Sequence, residues 1–354
     1  MAPLPTLMLV PTGIGCALGG YAGDALPCAR LLAAASGCLI THPNVMNGAS
    51  LYWSDPRIHY VEGYGLDRFA AGELALRPVR EQKIGLLLDA GIEPELRQRQ
   101  LHVAEGCRAS LGLNIGPVLT TEEPLEVGLK LGSSGASWGG LGHPEELLRA
   151  GQRLKQAGAT AIAVVARFPE EAESEALAAY RQGKGVDALA GAEAVISHLL
   201  VRELGLPCAH APALSPLPCE PLLDPRAAGE ELGYSFLACV LVGLSRAPDF
   251  VSLNTDSILP PSSELLRPEQ IGAVVAPEDA LGGEAVLACV ERGIPLITVT
   301  NPSLLQVTPE RLGLTSGLLR ARNYAEVAGW LLSLREGLMP AALDRPLPPL
   351  EWLS

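Results

Sequence analysis

The sequence predicts an α/β protein whose mostly parallel sheets are built from βαβ units. Short apolar runs rich in Val, Ile and Leu recur along the 354 residues, and glycine-rich loops follow them. An amphipathic stretch then follows each loop, which is the pattern of a strand leading into a covering helix. In three places the same order of strand, Gly-Gly pair, helix and strand is repeated.

The elements alternate in order along the chain. The predicted strands are residues 6–10, 38–41, 59–62, 84–89, 115–119, 125–131, 160–166, 250–253, 272–276 and 296–300. The predicted helices include residues 25–35, 93–111, 144–157, 173–182, 188–204, 225–244, 283–292 and 325–335. Glycines follow three of these helices where a left-handed C-cap residue is favoured, at Gly158, Gly205 and Gly293.

Three predicted units share a Gly-Gly pair after the first strand and an X-Pro dipeptide after the second. The pairs are Gly19-Gly20, Gly139-Gly140 and Gly282-Gly283, and the dipeptides are His42-Pro43, Phe168-Pro169 and Asn301-Pro302. The pairs are 120 and 143 residues apart, so the units are either a degenerate pseudo-repeat or convergent βαβ units. In both cases, glycine loops at the carboxyl ends of parallel strands let backbone N–H groups approach a ligand.

A proline-rich segment divides the chain. Residues 209–225 contain five prolines, a density that neither a helix nor a central strand accommodates. We therefore predict an N-terminal α/β part at 1–208, a crossover at 209–225 and a C-terminal α/β part at 226–354.

The composition disfavours several classes of partner and leaves the cofactor undetermined. The formal charge is −13, no Lys/Arg cluster interrupts it and 4% of residues are aromatic, so we expect neither nucleic-acid nor membrane-surface binding. The first basic residue is Arg30, which is too late for a secretory n-region, and we expect a cytoplasmic protein. The eight cysteines form no CxxC pair, so we expect buried reduced thiols and no metal site.

The loop after the first strand is the first candidate ligand site. Five glycines fall within residues 13–23, and Asp24 precedes the following helix. One interpretation is an anion or substrate cradle formed by Gly19, Gly20 and Asp24. The other is a set of tight turns with Asp24 as the N-cap.

Polar residues also follow the next predicted strands. His42 is a candidate general acid or base, with Asn44 and Asn47 as ligand-binding amides on the same loop. Asp89 ends a buried strand, so it either caps the helix after Gly91 or holds a substrate or metal. If it belongs to the site, it is a candidate for proton transfer.

The segment 130–140 carries the strongest candidate chemistry. Lys130 precedes a glycine loop with the hydroxyls of Ser133, Ser134 and Ser137, together with Gly135 and Gly139. These residues could form a serine activated by a neutral amine, or a loop that binds an oxyanion. The alternative is a Ser/Gly turn against which Trp138 packs.

The third unit adds Gly282, Gly283 and Asn301 as candidate ligand-binding residues. Because the carboxyl ends of parallel strands share one rim of a sheet, we expect the candidate residues of all three units to converge there. The expected ligand is a small polar, anionic metabolite.

Three strings carry a resemblance that spans nearly the whole chain. They are PTGIGCALGGYAGDA at 11–25, THPNVMNG at 41–48 and LDAGIEPE at 88–95. They resemble a family of uncharacterised cyanobacterial and plastid proteins defined as a domain of unknown function. The resemblance implies the cytosol of an oxygenic phototroph and no particular activity.

Two shorter stretches resemble enzymes. Residues 135–139 are similar to a serine loop of the ring-opening amidohydrolases, which implies a serine–lysine site on a pseudo-threefold barrel, although the loops at Gly19 and Gly282 lack serine. Residues 282–297 are similar to the nucleotide-sugar loop of two-domain glycosyltransferases and sugar-nucleotide epimerases.

Together these features favour a metabolic enzyme of the hydrolase or transferase class, with an amide-ring hydrolase as one form of it. A non-catalytic metabolite sensor or assembly protein that uses the same loops is the alternative. A homo-oligomer is compatible with either function.

Overall fold

The computed structural model describes residues 2–170, 174–216, 219–233, 235–253, 264–314, 317–343, 345–347 and 349–350. Position 173 of the predicted helix 173–182 and position 234 of the predicted helix 225–244 lie outside the described residues. So do positions 217 and 218 of the predicted crossover and several stretches of the predicted C-terminal part.

The strands and helices alternate along most of the chain. The strands are β1 (Thr6–Met8), β2 (Leu39–Thr41), β3 (Ile58–Tyr60), β4 (Leu74–Arg77), β5 (Ile84–Leu88), β6 (Ile115–Thr120), β7 (Val127–Leu131), β8 (Ser137–Leu141), β9 (Ala161–Arg167), β10 (Cys208–Ala213), β11 (Asp249–Ser252), β12 (Ala273–Pro277), β13 (Leu296–Val299) and β14 (Leu318–Ala321). The helices are α1 (Leu26–Ser36), α2 (Pro43–Met46), α3 (Gly63–Ala70), α4 (Pro94–Leu111), α5 (Pro144–Gln156), α6 (Glu175–Arg181), α7 (Ala190–Leu204), α8 (Pro225–Glu230), α9 (Leu237–Leu244), α10 (Glu284–Glu291) and α11 (Tyr324–Arg335).

Two parallel sheets confirm the predicted α/β class. The larger sheet has the order β14-β13-β12-β1-β2-β3, and the smaller one has the order β10-β9-β5-β6. In the larger sheet Thr6 pairs with Leu39 on one side and Ala273 on the other, so the strand order reverses beside β1. In open α/β sheets the crevice at the carboxyl end of such a reversal is where ligands bind.

Helices cover both faces of each sheet. In the larger sheet Met8 and Val275 pack towards α1 and α11, whereas Leu7 and Val274 face α3 and α10. The smaller sheet lies in the same way between α4 and α9 on one face and α5 and α7 on the other. Because both faces of each sheet are buried, the strands are continuous apolar runs in the sequence, and this pattern allowed them to be predicted.

The second predicted unit needs correction, because its first strand does not enter a parallel sheet. Residues 125–131 contain β7, which pairs antiparallel with β8, and Gly139 and Gly140 lie in β8 instead of a strand-to-helix loop. A Cβ atom on Gly139 would collide with the carbonyl oxygen of Gly128 and with Ala192. This glycine therefore lets the hairpin pack closely on α7.

The predicted helix 225–244 is two helices, α8 and α9. Between them Ser235 and Phe236 have φ angles of 73° and 55°, which an α-helix cannot contain. Within the described ranges, no single helix is long and apolar enough to cross a membrane, and one pair bent by 70°, Pro225–Gly233 with Leu237–Leu244, meets the length and composition criterion together.

The division of the strands between the two sheets does not follow the predicted boundaries between the N-terminal and C-terminal parts. Strands near both ends of the chain form the larger sheet, and residues 84–213 provide all strands of the smaller one. The predicted crossover 209–225 begins inside β10, where Pro212 is tolerated because β10 is an edge strand.

Candidate functional site

A cavity of about 1250 Å³ lies between the two sheets. The larger sheet contributes the segments that follow β1, β2 and β3, including Val10, His42 and Glu62. The other wall is formed by α6, α7, α8 and β10. The cavity therefore includes the carboxyl edge at which the reversal of strand order predicts a ligand.

Three side chains from α7 and β10 form a relay in this cavity, with one hydrogen bond and one longer contact to a carboxylate. Glu193 and Ser197 are one turn apart on α7, so they share a helix face. The ring of His210 lies between them, with Nδ1 hydrogen-bonded to the hydroxyl of Ser197. Its Nε2 is 3.5 Å from a carboxylate oxygen of Glu193.

The chemistry of the carboxylate determines which ring nitrogen of His210 carries the proton. A carboxylate oxygen accepts hydrogen bonds, so Nε2 is assigned as the N–H that faces Glu193. Nδ1 then has a free lone pair and accepts from the hydroxyl of Ser197. The order is that of a carboxylate, an imidazole and a hydroxyl in series.

Two further acids border the same part of the cavity. Burial raises the pKa of Asp187 well above its ordinary value, and the nearby Glu193 and Glu230 raise it further. Burial also raises the pKa of Glu230 to about 7, although hydrogen bonds from the Tyr180 hydroxyl at 2.7 Å and the Ala22 N–H at 2.9 Å oppose the shift. With a pKa of about 7, Glu230 is protonated in part of the molecules at neutral pH, and the upward shift of the Asp187 pKa favours its protonated form.

Tyrosines connect this cluster to the first glycine loop. The rings of Tyr21 and Tyr180 stack with their centroids 4.2 Å apart, and the Tyr21 hydroxyl donates to the Tyr180 carbonyl at 2.7 Å. The loop after β1 therefore supports α6 and α8, which carry Tyr180 and Glu230 respectively.

A second pair of a histidine and a glutamate lies on another part of the wall. Nδ1 of His198 is 2.5 Å from Glu62, which also accepts the N–H of Tyr64 at the start of α3. Burial lowers the pKa of His198, but Glu62 and then Asp67 raise it more, so the net shift is upward.

The residues predicted after the second strand do border the cavity. Nε2 of His42 accepts the N–H of Val10 at 3.2 Å, and burial lowers its pKa to about 4, so the ring is neutral. Asn44 donates to the Gly19 carbonyl and Asn47 accepts from the Tyr60 hydroxyl, both at 3.0 Å.

Acceptors within the protein already engage backbone donors of the first glycine loop. Gly19 donates to Asp24 at 2.6 Å, and Leu18 donates to Asn301 at 2.8 Å. A Cβ atom on Gly20 would collide with the carbonyl oxygen of Cys16, as expected of a tight turn. Burial raises the pKa of Asp24 to about 6. These contacts are those of tight turns, but the N-cap of α1 is Ala25 and has no side-chain cap hydrogen bond, so Asp24 is not the N-cap that the sequence predicted.

The serine and lysine residues of segment 130–140 lie on the β7–β8 hairpin and do not themselves line the cavity, although Ser137 contacts the lining residue Ala188. Nζ of Lys130 is 4.6 Å from the ring centroid of Trp138, and Ser133 and Ser134 are exposed at the turn. The hydroxyl of Ser137 donates to the Ala188 carbonyl at 2.7 Å and accepts the Gly191 N–H at 3.1 Å.

Backbone contacts nevertheless bring the predicted loops together. Ser137 donates its N–H to the Gly13 carbonyl at 2.8 Å, and Leu304 donates to Ile14 at 2.9 Å. Gly135 has a φ of 83° and packs against Leu304. The loops thus converge, but they support one another instead of surrounding an open site.

Asp89 and Asn301 are buried and fully engaged with the backbone. Asp89 accepts N–H groups of three residues at 2.8–3.0 Å, namely Gly91, Leu125 and Arg167, and it borders a separate cavity of about 300 Å³. Asn301 bonds both the N–H and the carbonyl of Leu18 at 2.8 Å. These contacts give both side chains a structural role.

The two glycines of the third unit have different surroundings. Gly282 packs against Val307, whereas Gly283 borders the cavity at the start of α10. Asp67 accepts the N–H of Ala285 at 3.0 Å, so a carboxylate already occupies this helix N-terminus.

The sequence interpretation missed Asp187, Glu193, Ser197, His210 and Glu230. One available signal was the spacing of Glu193 and Ser197 within the predicted helix 188–204, which places both on one face. Across the described part of the chain, no group of three His, Cys, Asp or Glu side chains is arranged to hold a metal ion.

Comparison with known proteins identifies the family. The family described as "Protein of unknown function (DUF3326)" matches residues 5–344. A curated relative from Synechococcus sp. (strain PCC 6301), described as an uncharacterized lipoprotein, is 55% identical over 342 residues, covering 96% of this chain and 93% of that protein. No solved structure matches the chain. The predicted resemblance is confirmed, and the chain belongs to the DUF3326 family.

Proposed function

We propose that the cavity is the active site of an enzyme that performs acid–base chemistry on a small polar metabolite. The observation that supports this most strongly is the position of His210 between a hydroxyl and a carboxylate. A partly buried imidazole with one unprotonated ring nitrogen and an orienting carboxylate is suited to accept a proton.

In this proposal the neighbouring acids Glu230 and Asp187 donate a proton to the substrate. Glu230 has a pKa of about 7, which is close to a neutral working pH, where proton transfer is most effective. Burial, and then the neighbouring Glu193 and Glu230, raise the pKa of Asp187, which favours its protonated form. A base and acids with raised pKa values in one cavity are the combination that acid–base catalysis uses.

The charge of the wall favours a neutral or cationic metabolite over the anionic one expected from the glycine loops. Among the described residues, nine acidic side chains and two arginines border the cavity: Glu62, Asp67, Glu93, Glu95, Glu170, Asp187, Glu193, Glu230, Glu231, Arg99 and Arg181. Arg99 pairs with Glu95 at 2.9 Å. An anion would meet net repulsion here.

The test is conversion of metabolites by the purified protein. Incubation with a low-molecular-mass cell extract, followed by mass spectrometry, should show one compound depleted and another formed. We expect His210→Gln and Glu193→Gln to lower the rate, the former by roughly 100-fold or more.

Lys130→Ala is the matched control, because Lys130 is exposed on the hairpin. It should convert the compound at the wild-type rate. Equal rates for His210→Gln and wild type would refute the proposal. A compound that binds in the cavity without being converted would instead support the alternative function, a non-catalytic metabolite sensor.

A further inference from the structure

We propose that Ser197 is the nucleophile of this site, which makes the reaction an acyl transfer, with an ester or amide as the substrate class. This inference rests on the proposed function and specifies its chemistry. It arises from the partner of the Ser197 hydroxyl, since a serine is a weak nucleophile until a base accepts its proton.

The position of Ser197 meets the requirements for such a nucleophile. Its side chain borders the cavity, although the residue is only 2% exposed to solvent. Its hydroxyl contacts Nδ1 of His210, and Glu193 faces the opposite ring nitrogen. Hydroxyl, base and orienting carboxylate are thus connected in order, which is the arrangement by which serine nucleophiles are recognised on unrelated folds.

The serines predicted from the sequence lack this arrangement. Ser137 uses its hydroxyl to join the carbonyl of Ala188 to the N–H of Gly191. Ser133 lies exposed in the hairpin turn, and Lys130 lies over the ring of Trp138. Among these serines and Ser197, only Ser197 contacts an imidazole.

Each step of the reaction balances. Oγ of Ser197 forms a bond to the substrate carbonyl carbon while its proton moves to Nδ1 of His210. Glu193 stabilises the resulting imidazolium through Nε2. When the carbonyl carbon separates from the leaving oxygen or nitrogen, that atom takes the proton from Nδ1. Water then attacks the acyl-serine with His210 as base, releasing a carboxylic acid and restoring the Ser197 hydroxyl.

Fluorophosphonate labelling tests the nucleophile without knowledge of the substrate. The Ser197 oxygen would displace fluoride from phosphorus, and intact-mass spectrometry would detect one adduct on the full-length wild-type protein. Peptide mapping of that adduct identifies the modified side chain without relying on any variant. A smaller sulfonyl fluoride is run in parallel, so that the size of the probe does not decide the result.

The variants determine whether the relay activates the serine. We expect Ser197→Ala to lose the adduct and His210→Gln to slow labelling by roughly 100-fold or more. Ser133→Ala, an exposed serine on the hairpin, should label at the wild-type rate. Circular dichroism confirms that each variant is folded.

The outcomes separate this inference from the proposed function. An adduct on Ser197 whose formation depends on His210 supports the nucleophile. If neither probe modifies Ser197, or if labelling is independent of His210, the nucleophile is refuted. If metabolite conversion still depends on His210 in that case, the acid–base proposal stands and His210 acts on the substrate directly.

Discussion

Glu230→Gln should stabilise the protein, and the gain should depend on pH. Glu230 accepts hydrogen bonds from the Tyr180 hydroxyl and the Ala22 N–H through one oxygen, Oε1. The carbonyl oxygen of glutamine can accept both bonds, but the amide does not titrate. The substitution therefore removes the unfavourable free energy of burying an ionised carboxylate and keeps the two hydrogen bonds.

The magnitude follows from the pKa. Burial raises the pKa of Glu230 from 4.5 to about 7. As pH rises from 4.5 to 7, the unfolded chain releases this proton while the folded protein retains it, so the wild type loses stability over that range. A pKa difference of about 2.5 corresponds to about 3 kcal/mol in the free energy of unfolding. We expect the variant to be more stable than the wild type by about this amount at pH 8, and by less than about 1 kcal/mol at pH 4.5.

Urea unfolding at pH 4.5, 6 and 8 measures the effect. The control is Glu231→Gln, one residue further on, where the side chain is exposed and the same change should leave the pH dependence of stability unaltered. If Glu230→Gln is less stable than the wild type by the same amount at every pH, Glu230 is an ordinary ionised carboxylate. Its proposed role as a proton donor would then be refuted.

Three further predictions concern residues singled out in the sequence. As pH falls from 6.5 to about 4, the unfolded state takes up a proton that the folded His42 does not, so the wild type loses about 3 kcal/mol of stability, and His42→Gln should remove this loss. Thermal unfolding across this pH range measures the effect. If the stability of the variant and of the wild type changes with pH in the same way, the prediction is contradicted. Lys130→Ala should cost less than about 1 kcal/mol in urea unfolding, because a cation–π contact with Trp138 at an exposed site is weak; a larger loss would indicate a further role. Asp89→Asn should cost about 2–3 kcal/mol in the same assay, because its amide group must face a buried N–H donor; a loss below about 1 kcal/mol would contradict the structural role of these contacts.

Local pattern predicted the fold class and most elements correctly. Buried parallel strands are short apolar runs, and their covering helices are amphipathic, so both are visible within about ten residues. Glycine is harder to interpret, because it serves both turns and close packing. Gly139 and Gly140 resembled the loop pairs at Gly19 and Gly282, yet they lie in a strand that packs against α7.

The site depends on contacts that no local pattern contains. His210 follows Ser197 by 13 residues and reaches it only because β10 lies beside α7. Similarly, Leu18 donates to Asn301, 283 residues later, so the sequence could not show that the first glycine loop was already satisfied. A glycine loop resembles an anion-binding site in the sequence until the protein groups that accept its N–H hydrogen bonds are known.

The comparison of His210→Gln with Lys130→Ala in metabolite conversion tests the central claim most directly, since each variant removes the key group of one candidate site. If the cavity is the active site, conversion falls by roughly 100-fold or more in His210→Gln and is unchanged in Lys130→Ala. Conversion that survives in His210→Gln and is lost in Lys130→Ala would place the chemistry on the hairpin instead and contradict the account.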